Sequence, residues 1–343
     1  MSAVRRRRLD LAQGRVELAH GGGGRAMGQL VEEVFRAAFD NPVLARAEDA
    51  SPIGGGLVMT TDSFVVSPLF FPGGDIGSLA VHGTVNDLAM AGAAPVALSA
   101  AFVIEEGFPL ADLARIAASM AAAAREAGVP VVTGDTKVVE RGKGDGVFVT
   151  TTGIGRCRPG IAPSAGQVRP GDVILLNGPV GDHGVAIMAA REGMEFAEPL
   201  LSDSAALHGL VGALLAAAPG VRCLRDPTRG GLAATLNEVA DRCGCGMLLQ
   251  EAAIPVRPAV AAACELLGLD PLHVANEGKL VAILPPGEAE AALAALRAHP
   301  LGREAARIGT VTEDARRYVQ IDTRFGGRRM VDWLAGEQLP RIC

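Results

Sequence analysis

Hydrophobic and polar positions in the first half of the chain predict strands and helices in alternation. Residues 57–66 (LVMTTDSFVV) have the pattern of a strand that carries one acid, and a Pro/Gly loop separates them from a helical pattern over 76–91. A second helix is predicted over 110–127 and ends at Gly128. Further predicted strands span 96–104, 129–133 and 146–154. The order is strand, helix, strand, helix, strand, and one further strand closes this half.

The second half alternates in the same way. Its predicted strands span 172–176, 279–284 and 318–321, and its predicted helices span 184–191, 204–217 and 230–242. Residues 159–171 are rich in Pro, Gly, Ser and Ala and lack a hydrophobic period, which is typical of a linker. We therefore predict a basic leader (1–15), a first domain (16–158), this linker, a second domain (172–322) and a mobile tail (323–343).

Length and composition agree with two layered domains. A chain of 343 residues is too long for one ordinary core. Apolar residues make up 49% of it and aromatic residues only 3%, so its cores must be built from Ala, Val, Leu and Ile. This composition favours an α/β fold with covered sheets.

Charge and cysteine content exclude several classes of protein. The net charge of -6 offers no broad basic surface for nucleic acid, and the basic cluster Arg5 to Arg8 is assigned no function, although it could bind an acidic surface. No apolar run approaches the ~20 residues that span a bilayer. Six cysteines without a secretory signal indicate a reducing cytoplasm rather than a disulfide scaffold.

The glycine run Gly21, Gly22, Gly23 and Gly24 could place several backbone N–H groups around a phosphate. It has neither the P-loop spacing nor the GxGxxG pattern, so a flexible loop is the alternative.

Four acids in recognisable segments add to this signal: Asp62, Asp87, Asp135 and Asp226. Carboxylate oxygens are the ligands that Mg²⁺ prefers when it bridges nucleotide phosphates. Any one of them could instead cap a helix or form a turn, above all Asp87.

Two further residues are candidates for proton transfer or charge neutralisation. Lys137 follows Asp135 by two positions, which on a strand puts both side chains on one face. Glu277 lies where an apolar loop meets a strand, and burial there would raise its pKa and suit it to take a proton. An exposed lysine and a surface turn are the alternatives.

Cys343, the last residue of the sequence, could be presented to an active site on a mobile stem, or could stand there by chance. Fully extended, about ten residues of the tail would reach on the order of 30 Å. The other cysteines form no zinc pattern and are interpreted as structural or incidental.

These motifs resemble the HypE family of [NiFe]-hydrogenase maturation proteins, which is similar to aminoimidazole ribonucleotide synthetase, selenophosphate synthetase and thiamine-monophosphate kinase. The resemblance rests on residues 20–24 (HGGGG), 61–63 (TDS), 85–93 (VNDLAMAGA), 133–139 (TGDTKVV), 181–184 (GDHG), 225–231 (RDPTRGG), 275–279 (ANEGK) and 340–343 (PRIC). The last of these resembles HypE alone. The Arg-rich leader before Val16 departs from the family.

The resemblance implies a fold, a ligand and an assembly. The fold is that of aminoimidazole ribonucleotide synthetase, with a first domain that forms a β-barrel shared across a homodimer and a C-terminal α/β sandwich. ATP with Mg²⁺ would lie between the domains, bound by the glycine run, Asn86 and the four acids.

The resemblance also implies a reaction. The carbamoyltransferase HypF loads a carbamoyl group on Cys343, ATP drives its dehydration to S-cyanide, and a HypC–HypD complex accepts the cyanide. Phosphorylation of the carbamoyl oxygen makes it a leaving group. We predict that Glu277, coupled to a nearby Lys137, takes a proton from nitrogen.

Three alternatives remain open. A small-molecule kinase or ligase would not need Cys343, and a selenophosphate synthetase would need a cysteine beside the glycine run, which is absent from the sequence. The third alternative is a carrier without catalytic activity that only presents its tail.

Overall fold

The computed structural model describes residues 8–46, 48–194, 196, 200–333 and 341–343. Its strands are β1 (Ser51–Gly54), β2 (Leu57–Phe64), β3 (Phe70–Phe71), β4 (Gly74–Asp75), β5 (Ala94–Glu105), β6 (Val131–Val139), β7 (Val147–Arg156), β8 (Val173–Leu176), β9 (Cys223–Arg225), β10 (Gly246–Gln250), β11 (Val281–Leu284), β12 (Ala306–Thr312), β13 (Val319–Asp322) and β14 (Arg328–Met330). Its α-helices are α1 (Arg25–Leu30), α2 (Ala37–Phe39), α3 (Ile76–Met90), α4 (Leu110–Ala127), α5 (Asp182–Glu192), α6 (His208–Ala217), α7 (Gly231–Cys243), α8 (Pro258–Leu267) and α9 (Ala289–Ala298). A π-helical stretch, Val31–Arg36, joins α1 to α2.

The first sheet has the strand order β1-β2-β7-β5-β6. Its neighbouring strands are antiparallel except β5 and β6, which are parallel and connected through α4. Val58 and Phe64 of β2 are buried while Met59 and Ser63 are exposed, so one face of the sheet is covered and the other is open.

The covered face packs against α3, which in turn packs against α4. Asp75 begins α3 because its Oδ1 accepts hydrogen bonds from the N–H groups of Gly77 (2.8 Å) and Ser78 (3.0 Å). α4 ends at Gly128, whose φ of 66° is left-handed. Both helices confirm the predictions over 76–91 and 110–127.

The second sheet has the strand order β14-β13-β10-β12-β8-β11-β9. β8 and β11 are buried at every position, since helices cover both faces of the sheet's centre. The predicted strands at 172–176, 279–284 and 318–321 are confirmed with small shifts at their ends. The sequence pattern missed β9, β10, β12, β14, α8 and α9.

Segments that the sequence assigned to a linker and a tail contribute to the packed structure. Ala165 and Val168, within 159–171, are buried against the second sheet. β14 lies within the predicted tail and pairs with β13. Arg5 to Arg7 of the basic leader lie outside the described residues, as does Pro340. None of the described helices has the length and apolar content needed to cross a bilayer.

Candidate active site

Four carboxylates come together where the first sheet meets the loop after β9. Asp62 lies on β2, Asp87 on α3, Asp49 just before β1 and Asp226 just after β9. Oδ2 of Asp87 accepts a hydrogen bond of 2.7 Å from the hydroxyl of Thr60. Three of these acids were predicted from the sequence, and the structure brings them together.

Burial raises the pKa values of Asp62, Asp87 and Asp226. Burial raises the pKa of Asp87 well above its ordinary value, and the charges of Asp226 and Asp49 raise it further. Burial, with Asp49, also raises the pKa of Asp226, to about 8. The pKa of Asp62 is raised by burial and partly lowered again by the guanidinium of Arg229. A cation placed here would favour the ionised forms.

Glu277 lies beside this group and is 3% exposed. Burial raises its pKa well above the ordinary value, and the charges of Asp226 and Asp62 add to the shift. Its backbone N–H donates to Oδ1 of Asp203 (3.0 Å), and its carbonyl oxygen accepts from Nδ2 of Asn86 (3.2 Å). Its Oε1 has no hydrogen-bond partner among the described residues. The backbone is therefore fixed while the carboxyl group has an oxygen left to interact with a ligand.

Cys343 extends into the same group. Burial raises the pKa of its thiol above the usual range, and the carboxylates of Glu277, Asp62 and Asp226 raise it further. The guanidinium of Arg229 acts in the opposite direction. The thiol is thus near the predicted base and two of the predicted metal-binding acids.

The glycine run packs against the beginning of α7. Nη1 of Arg229 donates to the carbonyl oxygen of Gly21 (3.1 Å). Gly23 has a φ of 74°, and a Cβ added there would lie 2.7 Å from the carbonyl oxygen of Arg229. Only glycine fits this approach without displacing the backbone. The charge of Arg229 lowers the pKa values of both Asp62 and Cys343, so the loop that Arg229 contacts lies near the acids.

Asp135 and Lys137 do not lie beside the other predicted acids. Nζ of Lys137 is 2.7 Å from Oδ2 of Asp135, and both side chains are more than half exposed. The register places Asp135 in one row with Ser63 of β2, so its side chain points to the face opposite to that of Asp62. β6 is also three strand spacings from β2, roughly 14 Å.

The pairing of Lys137 with Glu277 is therefore not formed within one chain. The groups that shift the pKa of Glu277 are Asp226, Asp62, Asp203 and Arg229. Sequence spacing placed Asp135 and Lys137 on one face correctly, but it could not tell which face of the sheet that would be.

The side chain of Asn86 joins three segments of the chain beside Glu277. Its Nδ2 donates to the carbonyl oxygens of Ala205 (3.0 Å) and Glu277, and its Oδ1 accepts from the N–H of Leu207 (2.7 Å). The amide thus ties α3 to the segments that carry Glu277 and α6. Its predicted contact with a nucleotide stays a prediction.

Several residues near the site were missed by the sequence analysis. Asp49 pairs with the buried Arg225, whose Nη1 lies 2.5 Å from its Oδ1. Asp203 pairs with Lys279, which follows Glu277 by two positions. Arg225 and Arg229 stand in the segment quoted for Asp226 and could have been singled out there. No motif in the surrounding sequence marks Asp49 or Asp203.

Phosphates and a divalent cation fit the chemistry of this site. Oδ2 of Asp49 and Oε1 of Glu277 have no hydrogen-bond partner among the described residues, and the clustered carboxylates raise one another's pKa. No three acidic, His or Cys side chains in the described part of the chain converge as a complete metal site. Mg²⁺ would therefore take part of its coordination from phosphate oxygens and water, as it usually does.

Comparison with known proteins extends over nearly the whole chain. Residues 46–157 match the N-terminal domain, and residues 169–322 the C-terminal domain, of the AIR synthase related protein family. Carbamoyl dehydratase HypE of Azotobacter vinelandii is 67% identical over 339 residues, covering 98% of this chain and 99% of the relative.

Two solved structures are also similar. A crystal structure of a HypE–HypF complex superposes with a TM-score of 0.86 at 49% identity, covering 89% of this chain and 99% of that one. HypE in complex with ATP superposes with a TM-score of 0.82 at 51% identity, covering 96% of this chain and 100% of that one. The chain therefore belongs to the HypE family of carbamoyl dehydratases, within the AIR synthase related proteins.

Proposed function

We propose that this chain uses ATP to dehydrate a carbamoyl group on Sγ of Cys343 to a thiocyanate, the source of the cyanide ligand in [NiFe] hydrogenase. One observation carries the proposal: Cys343 is bound to Val65, three residues after Asp62, and packs against the core that contains Ala275, two residues before Glu277. The charges of Glu277, Asp62 and Asp226 accordingly raise the pKa of its buried thiol. Placed there, a group carried on Sγ would lie among the carboxylates that the reaction needs.

The reaction balances as a phosphorylation followed by an elimination. The carbamoyl oxygen attacks the γ-phosphorus of ATP, and the bond to ADP breaks. The C–O bond then breaks as C≡N forms, and phosphate leaves with the former carbamoyl oxygen. The two protons of nitrogen end on phosphate and on solvent.

Glu277 is placed to take a nitrogen proton. Its buried carboxyl group has a raised pKa and an oxygen without a partner among the described residues, and it acts on the thiol that carries the substrate. Asp203 and Asn86 fix its backbone from two sides.

The nucleotide would lie between the glycine run and the acids. Backbone N–H groups of Gly21 to Gly24 and the guanidinium of Arg229 suit phosphate oxygens. Asp62, Asp87 and Asp226 would hold Mg²⁺ together with the phosphates, with Asp49 nearby. Bound there, the metal would neutralise phosphate charge during transfer.

The open face of the first sheet supports a homodimer with a shared β-barrel. Met59 and Val103 on this face are 41% and 40% exposed, although both lie in the middle of strands. Asp135 and Lys137 share the face and would meet the partner subunit. Their predicted roles as metal ligand and catalytic cation would then be exercised at the dimer interface.

The partners follow from the chemistry on Cys343. HypF, which forms a complex with a similar HypE, would load the carbamoyl group, and a HypC–HypD complex would accept the cyanide. We place this exchange in the cytoplasm. The tail must leave the site to be loaded and return to it for dehydration.

Intact-mass spectrometry tests the proposal. After incubation with the carbamoylating partner, the mass should rise by about 43 Da and then fall by about 18 Da when ATP and Mg²⁺ are added. Cys343→Ala should show neither change. ATP turnover on a soluble substrate by Cys343→Ala would instead favour a small-molecule kinase.

A further inference from the structure

The end of the tail is bound through its main chain. The carbonyl oxygen of Arg341 and a main-chain oxygen of Cys343 accept hydrogen bonds from the N–H groups of Ser67 (3.1 Å) and Val65 (3.0 Å), respectively. The residue numbers run in opposite directions, so the tail lies antiparallel to the segment that continues β2. Main-chain pairing of this kind gives affinity with little dependence on side chains.

One apolar side chain anchors the tail. Ile342 is 2% exposed and packs in the core that contains Phe64, Val66 and Ile187. Next to it, Arg341 has a left-handed φ of 54°, a conformation that costs a residue with a side chain on the order of 1 kcal/mol. The docked conformation must therefore be held by its contacts rather than by local preference.

Arg191 of α5 supplies one of these contacts. Its Nη2 donates to the carbonyl oxygens of both Ser67 (2.6 Å) and Arg341 (3.0 Å), and its Nε also donates to Ser67 (3.1 Å). One guanidinium thus joins the tail, the end of β2 and α5. A planar group with several donors is suited to bridging two carbonyl oxygens.

His183, also on α5, supplies the next contact. Its Nε2 lies 2.8 Å from the carbonyl oxygen of Ile342, which can only accept, so Nε2 carries the hydrogen. Burial lowers the pKa of His183, so the ring is neutral and Nδ1 accepts from the hydroxyl of Ser202 at 2.7 Å. That hydroxyl in turn accepts from the N–H of Ser204 (3.1 Å). Every donor in this series of three hydrogen bonds points towards the tail.

We propose that Arg191 and His183 are the positioning residues that hold the docked tail by the carbonyl oxygens of Arg341 and Ile342. The inference rests on the proposed function, because it assigns how Cys343 is brought to the reacting groups. Neither residue touches the thiol. The main-chain oxygens of residues 341–343 and the side chain of Ile342 stay the same whether Sγ carries hydrogen, a carbamoyl group or cyanide. Docking should therefore accept the tail at each stage.

The segment that contacts His183 also contacts Glu277. Ser202, which orients the imidazole, precedes Asp203, whose Oδ1 accepts from the N–H of Glu277. One short segment therefore touches both the holder of the tail and the predicted base. A shift of this segment when the tail leaves would also shift the base.

Alkylation of Cys343 by N-ethylmaleimide tests the inference without ATP or any partner. Peptide mass spectrometry separates Cys343 from the internal cysteines. In Arg191→Gln the tail should undock more often, and Cys343 should be alkylated about tenfold to a hundredfold faster, as expected for losing hydrogen bonds to a charged group. Arg191→Lys, which keeps a charged donor, should fall between this variant and the wild type. Arg125→Gln, an exposed position on α4, should match the wild type.

Dehydration separates this inference from the proposed function. Dehydration follows the docked fraction, so single-turnover loss of water from carbamoylated Arg191→Gln should slow by a smaller factor than alkylation speeds up, and it should not recover at saturating ATP. Wild-type alkylation rates in folded Arg191→Gln would overturn the inference and leave the function intact. Fast alkylation together with a wild-type protein that forms no thiocyanate would overturn the function alone.

A second variant covers the case in which Arg191→Gln does not fold. Asp145 pairs with the guanidinium of Arg341 at the surface and is 63% exposed, so Asp145→Asn should not disturb folding. It should speed alkylation of Cys343 by about twofold to threefold. An unchanged rate in this variant would contradict the docked arrangement.

Discussion

Nζ of Lys279 lies 2.8 Å from Oδ2 of Asp203, and both side chains are nearly inaccessible, at 10% and 4% exposure. The contact is an ion pair at hydrogen-bond distance. The other oxygen of Asp203 accepts from the N–H of Glu277. A buried ion pair thus supports the backbone of the predicted base.

Removing one charge of this pair should destabilise the fold. Asp203→Asn keeps an acceptor for Glu277 but leaves the ammonium of Lys279 buried and unpaired, which should cost about 3–5 kcal/mol in the free energy of unfolding. Urea unfolding measures this cost. Adding Lys279→Met to Asp203→Asn should recover most of it.

An exposed pair provides the comparison. Asp322 and Arg328 form an ion pair with side chains 34% and 50% exposed. Asp322→Asn should therefore cost less than about 1 kcal/mol. Equal losses in Asp203→Asn and Asp322→Asn would show that burial of the first pair does not matter.

Gly278 should not tolerate a side chain. A Cβ there would lie 1.8 Å from the carbonyl oxygen of Asp203, which belongs to the segment that supports Glu277. Gly278→Ala should lower the free energy of unfolding by about 1–3 kcal/mol and should slow dehydration. At Gly287 an added Cβ meets nothing within 4 Å, so Gly287→Ala should leave both measurements near the wild type.

Replacing the predicted base should affect the chemistry and not the binding. Glu277→Gln should slow single-turnover dehydration of the carbamoylated protein by at least about 100-fold, the lower end for loss of a general base. Binding of ATP, measured by calorimetry, should change little. Glu265→Gln, at an exposed position of α8, is the matched control. Unchanged dehydration in Glu277→Gln would remove this residue from the mechanism.

Glu238 should make stability depend on pH. Burial raises the pKa of Glu238 to about 7 in the folded protein, whereas the unfolded value is ordinary. The folded state therefore retains a proton that the unfolded state loses, and stability falls as pH rises from about 4.5 to about 7. Since Glu238 is only partly buried, we expect a loss of about 1–3 kcal/mol.

Glu238→Gln should remove this loss. The variant should match the wild type near pH 4 and be the more stable protein at pH 8, as measured by urea unfolding at both values. Glu126→Gln, at an exposed position of α4, should show no such crossover. A Glu238→Gln variant less stable than the wild type at pH 8 would contradict the sign of the effect.

The sequence predicted the end of α4 from a signal that acts within a few residues, the glycine at position 128. It missed α8, although Pro258 begins that helix and Gly268 follows its end. β9 and β14 have only three residues each, too few to show a period, and they are strands because neighbouring strands bind them.

The candidate site was also predictable only in part, because some of its residues are positioned by contacts between distant segments. Asp62, Asp226, Glu277 and Cys343 stand in recognisable segments, and the structure brings them together. Asp135 stands in an equally recognisable segment, yet strand order and register put it on the other face of the sheet. The supporting role of Asp203 depends on a contact with a residue 74 positions away. Local sequence patterns do not contain such information.

The docked tail spans the boundary between the two halves of the molecule. It pairs with Val65 and Ser67 at the end of a strand in the first sheet, while Arg191 and His183 hold it from a helix that follows the first strand of the second sheet. In the docked arrangement, residues 341–343 therefore cross-link the two halves. Their departure would loosen the joint between the halves at the moment when the thiol is handed to a partner, and their return would tighten it again.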